Sequence, residues 1–228
     1  MSRMPTPDEQ AAISAHLDGL QYANIPPQFS AFFAAVRDAR AATGRDMITG
    51  AVSQGAAGNP GNWSGALTYL ALLDQIGDCF RPQAGASTAP SAVDRALEDF
   101  AGLQEPQRRA IYALRCAFAH DYSLINIDAA QPLLQHHFIV SANAIHPLVT
   151  LPVQQWDGQY ESRNAQNVTR INLRTLGDTV EQIISRLLSD AANSQLELRL
   201  QGGADELRNR YWMGIFEEQV PEPPPQAP

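Results

Sequence analysis

Arg115 and His120 lie five positions apart and are the side chains of this sequence best suited to act together on a phosphate. A guanidinium stays charged at every ordinary pH and meets phosphate oxygens as a planar fork, while an imidazole exchanges a proton near neutrality. Together they could hold a phosphodiester and move a proton to or from a ribose hydroxyl, with no metal required. Tyr122 follows two residues later. Spacing alone does not single the pair out, because 16 arginines and 5 histidines in 228 residues give about 0.35 such pairs by chance. Position does, since the pair falls at the end of an amphipathic helix with further long helices before and after it. On a regular helix five residues turn through about 500°, so the two side chains point about 140° apart. They meet only if the helix ends or distorts near Ala119, or if two chains each supply one group. The non-catalytic alternative is a helix end at which His120 favours the macrodipole and Arg115 pairs with Asp74 or Asp78.

Asp74 and Asp78 sit four apart at the edge of an apolar helix face, where they could position Arg115 or His120 or simply be solvated. Arg108 and Arg109 precede the pair by two turns and could extend a basic groove toward RNA phosphates, or be ordinary surface arginines. His136, His137 and His146 have no ligand-like spacing, and neighbours on a strand face opposite ways, so no metal site is expected. Cys79 and Cys116 form no CxxC pair and read as small buried hydrophobes of a reducing compartment. All 16 basic residues are arginine, which excludes a Walker A loop, a pyridoxal Schiff base and a kinase-type lysine. With net charge −8, the overall field repels nucleic acid, so an RNA site must be a local arginine-lined cleft.

The elements that must position these residues are mainly helical. Phe29, Phe32, Phe33 and Val36 predict a helix over 28–42, and Ala66, Leu70, Leu73, Ile76 and Phe80 predict another over 63–80. A shorter helix over 92–103 follows, capped by Ser91 and Asp94, and a helix over 105–119 carries Ile111, Leu114 and Phe118 on one stripe. The period then changes: 136–144, 147–153 and 167–174 read as strands of an antiparallel sheet, and Gly177, Asp178 and Glu181 read as the cap of a helix over 179–192. Leu196, Leu198 and Leu200 suggest one more strand, and 205–212 a short helix. Residues 44–62 read as a flexible connector rich in Gly, Asn and Ser. The expected organisation is a polar lead-in at 1–24, a domain at 25–216 with a β insert at about 135–174, and a disordered Pro-rich tail at 217–228. No apolar leader or spanning segment is visible, so a cytoplasmic location without a membrane anchor is expected.

Arg115 and His120 match the R-x4-H hallmark of the HEPN superfamily, and the segment around them resembles that family over the helices between Trp63 and Leu103, between Glu105 and Ala119, and near Thr179. With Tyr122 the pattern becomes R-x4-H-x-Y, as in HEPN toxins paired with a nucleotidyltransferase-type antitoxin. The resemblance implies a mainly α, HEPN-like helical bundle, here with a small antiparallel β insert and so α+β overall. It implies a homodimeric, cofactor-free endoribonuclease of toxin–antitoxin or antiviral defence, in which Arg115 contacts the scissile phosphate and His120 acts as general acid or base. It further implies Tyr122 as a site for AMP transfer. The residue after the motif arginine, often polar in active members, is Cys116 here, and many HEPN proteins are non-catalytic modules that bind a partner protein or a nucleotide.

Overall fold

A computed structural model describes residues 4–18, 20, 28–52 and 59–214. The tail at 217–228 and most of the connector's glycine-rich middle, at 53–58, lie outside the described residues. The helices run α1 (Pro7–Leu17), α2 (Ala31–Thr43), α3 (Trp63–Cys79), α4 (Ala92–Ala101), α5 (Glu105–Asp121), α6 (Leu173–Ala192) and α7 (Gly203–Tyr211). The short strands are β1 (Gln28–Ser30), β2 (Phe80–Pro82), β3 (Ile125–Asn126), β4 (His136–Ser141), β5 (Val149–Thr150), β6 (Thr169–Asn172), β7 (Leu196–Leu198) and β8 (Trp212–Gly214). The chain is thus α+β with helix predominating.

α3 is the central helix, packed against α2, α4, α5 and α6. That role follows from its sequence, because Leu70, Leu72, Leu73 and Ile76 cover more than one face and all are buried. Asn62 starts it by accepting the Gly65 amide at 2.9 Å. α1, within the segment that reads as a polar lead-in, carries a Thr6–Glu9 capping box and buries Ala12, Ile13, His16 and Leu17 against its neighbours.

Several boundaries differ from the sequence reading. The helix expected from residue 28 begins at Ala31, because Ser30 caps it and Gln28–Ser30 pair with Trp212–Gly214. α6 begins at Leu173, six residues before the expected Thr179, since Asn172 caps it through the amides of Arg174 and Thr175. Gly177 and Asp178 therefore sit inside the helix. Gly177 faces inward, where a Cβ would lie 2.6 Å from the Arg45 guanidinium and 3.1 Å from the Tyr69 ring. The sheet is ordered β3-β4-β6-β5 and is mixed, which corrects the antiparallel expectation: β4 and β6 run parallel, with Phe138 opposite Thr169 and Ser141 opposite Asn172. Alternating apolar residues mark a strand but carry no direction, and the 142–168 connection is long enough to return the chain to the starting edge.

The described part of the connector is pinned rather than free. Arg40 of α2 donates to Glu181 of α6 at 2.7 and 3.0 Å, and also to the carbonyls of Met47 and Ile48. Tyr69 donates to the same carboxylate at 2.8 Å. Arg45 lies over the Tyr69 ring, pairs with Asp178 at 2.8 Å and donates to the carbonyls of Gly50 and Arg174.

His16 and His136 are buried, and desolvation lowers both pKa values from 6.5 to about 4. His136 is held neutral between Thr169 Oγ1 at 2.8 Å and the Leu133 carbonyl at 3.2 Å. Because each folded-state pKa lies below the unfolded value, the unfolded chain binds more protons between pH 6.5 and 4. The stability these residues contribute above pH 6.5 is lost as pH falls through that window. The loss should be on the order of 2 kcal/mol for each histidine between pH 7 and pH 4.5, read from urea midpoints, and His136→Gln should flatten the slope. A variant slope equal to that of the wild type refutes this assignment.

Candidate active site

Both members of the Arg–His pair lie on α5, and their directions follow from its regularity. The helix runs unbroken through Asp121 and ends where Tyr122 adopts a left-handed backbone with φ of 49°. No distortion occurs near Ala119, so Arg115 and His120 stay about 140° apart around the axis. They flank a strip of α5 made by Tyr112, Cys116 and Ala119, which the packed face leaves partly or fully exposed. One chain does not bring the pair together.

Arg115 leans toward α3, where its Nε donates to Asp74 Oδ2 at 2.5 Å. The guanidinium is not sealed, since its side chain remains 31% exposed. Burial pushes the Asp74 carboxyl above its ordinary range, against the lowering pull of the Arg115 hydrogen bond and charge. Desolvation of Arg115 is outweighed by that same partner, which keeps it cationic. Asp78, one turn farther along α3, pairs with Arg95 at 2.8 Å and takes no part in holding Arg115.

His120 is exposed and, with Cys116 of the strip, lines a surface hollow of about 480 Å3. Tyr122 leans back onto the first turn of α3, against Trp63 and Phe118, with its hydroxyl 3.4 Å from Ser64 Oγ. Nearly half of its surface is exposed.

Arg108 does not extend a basic groove. Its side chain turns to α4, 3.3 Å from Glu98 and 3.7 Å from Asp94, and donates to the Leu103 carbonyl at 2.6 Å. Arg109 pairs with Glu105 at 2.7 Å across one helical turn and keeps part of its surface exposed. The three strand-region histidines are engaged separately: His136 as above, His137 with Asn167 at 2.7 Å, and His146 with Ser141 at 3.3 Å. Among the described residues no group of three or more His, Cys, Asp or Glu side chains is placed to hold a metal ion.

Sequence reasoning passed over the rest of the lining of the hollow beside His120. It comes from the sheet region: Asn126 and Ile127 after α5, and Tyr160 from a 3-10 turn at Tyr160–Ser162. The Asp157-Gly158 pair signals that turn in the sequence, but nothing local says that it folds back beside α5.

Compared with models of protein families, with curated proteins and with solved structures, the chain finds no match.

Proposed function

We propose that this chain is a metal-independent endoribonuclease of the HEPN toxin type, acting as a homodimer. The observation that carries the reading is the arrangement on α5, where Arg115 and His120 keep their functional ends accessible on the two flanks of one exposed strip. A second copy packed along that strip supplies the missing half of each site, as the 140° divergence requires. Arg115 then neutralises the scissile phosphate, with Asp74 fixing its orientation. His120 takes the proton of the 2′-hydroxyl as that oxygen attacks phosphorus. The bond to the 5′-oxygen breaks, the leaving oxygen gains a proton, and a cyclic phosphate remains. The Tyr122 hydroxyl is the group that a nucleotidyltransferase-type antitoxin modifies under this reading.

A second reading is favoured by the Arg115–Asp74 pair itself, which occupies part of the guanidinium, and by Cys116 beside it. On that reading the chain is a non-catalytic module that binds a partner protein or a nucleotide.

Incubation of single-stranded RNA with wild type, Arg115→Ala and His120→Ala in the presence of a chelator separates the two. Cleavage should fall at least about a hundredfold in each variant, the scale of a lost acid–base or phosphate-binding group. Equal RNA decay with all three folded proteins removes the nuclease and leaves the binding module.

A further inference from the structure

The hollow beside His120 carries features that proton transfer does not need. Tyr160 is 53% exposed and Ile127 47% exposed, so an aromatic ring and an aliphatic side chain stand open to solvent in the hollow that the imidazole also lines. Asn126 also lines the hollow. Its Nδ2 donates to the Leu134 carbonyl at 2.7 Å, and no described residue engages its Oδ1. Asp121 is the carboxylate of the lining.

Tyr160 is not a loose loop residue. The buried Trp156 donates from its indole nitrogen to the Gln159 carbonyl at 3.0 Å. Asp157 accepts from the Gln159 amide and the Ser162 hydroxyl, and Asn167 Nδ2 donates to the Ser162 carbonyl. Gly158, with φ of +84°, makes room for Gln135, which would lie 2.4 Å from a Cβ there. Arg163 donates to the Tyr160 carbonyl at 2.9 Å and places its guanidinium 5.2 Å from the ring centroid. One ring face is thus backed by a cation while the side chain as a whole stays open. An aromatic ring held in advance at the surface, with positive charge beside it, is the arrangement that stacks an unpaired base and holds its phosphate.

We infer that this hollow is a base-binding subsite, in which an unpaired base of single-stranded RNA stacks on Tyr160, presents its edge to Asn126 and sets the adjoining phosphate beside His120. The inference rests on the nuclease reading for its substrate, yet it concerns residues outside the helices that resemble HEPN.

The test uses the full chain and fluorescein-labelled 2′-O-methyl oligonucleotides of eight residues, which cannot be cleaved through the 2′-oxygen. One is oligoadenylate and the other a fully abasic strand of equal length. Wild type should bind the adenylate about tenfold or more tighter than the abasic strand, the scale of one stacked base. Tyr160→Ala should erase that preference without weakening binding of the abasic strand, and Tyr160→Trp should keep it. A preference that survives in Tyr160→Ala, or none in wild type, overturns the inference, as does displacement of the oligomer by AMP at equal concentration. Absence of RNA cleavage by wild type with the Tyr160-dependent preference intact would instead sink the nuclease reading alone.

Discussion

Glu181→Gln should lower folding stability by about 3–5 kcal/mol, the scale of a buried ion pair that loses one charge. The Arg40 side chain is only 4% exposed, and Glu181 both neutralises it and accepts the Tyr69 hydroxyl. Glutamine keeps the shape and some hydrogen bonding but leaves the guanidinium charged in a site with little water. For a chain of this size each kcal/mol moves the melting temperature by about 2–4 °C, so a drop of about 10 °C is expected. A double change, Arg40→Met with Glu181→Leu, should recover much of the loss, because the cost lies in the unpaired charge and not in the missing pair. Limited proteolysis should also sharpen at 46–50, which Arg40 and Arg45 tie to α6 through the Met47, Ile48 and Gly50 carbonyls. Thermal melts within 2 °C of wild type contradict this account.

Gly77→Ala should cost about 3 kcal/mol, against the usual direction for a helix interior. Alanine is the better helix former by about 1 kcal/mol, and that term alone predicts a gain. Here the added carbon would lie 1.8 Å from the Ala92 carbonyl oxygen and 2.6 Å from its carbon. Both are backbone atoms of the first residue of α4, so no side chain can swing aside. α3 and α4 must part, which also disturbs the Arg95 hydrogen bond to the Gly77 carbonyl at 3.0 Å. Overpacking of this kind outweighs the propensity gain. Urea denaturation of the variant provides the measurement, and a midpoint at or above wild type would refute the close approach.

Local pattern made the main helices legible. Phe32, Phe33 and Val36 repeat at helical spacing and are buried in α2, and Ile111, Leu114 and Phe118 do the same for α5. The divergence of Arg115 and His120 on α5 could be read in advance, because it depends only on helix geometry. What escaped depends on contacts between distant segments. The partner of Gln28–Ser30 is Trp212–Gly214, so nothing near residue 28 reveals a strand. Gly177 reads as part of a helix cap until the Arg45 side chain that needs its space is known. Arg40 carried a usable signal, since it shares the apolar stripe of Phe33 and Val36, where an arginine must find a buried partner. That Glu181 is the partner could not be read, because 141 residues separate them. Arg108 looked the same in sequence whether it faced solvent or α4. The turn that carries Tyr160 went unread, although Asp157-Gly158 signals it, and nothing local places it beside His120.

The pairing of β1 with β8 has a consequence for the living cell. A ribosome makes the chain from its amino end, so Phe29 waits for Met213 until some 180 further residues have been joined. At about 5–20 residues per second that delay is roughly ten to forty seconds. Throughout it the segment that becomes β1 lacks its pairing partner, and an unpaired strand edge is the kind of segment chaperones shield.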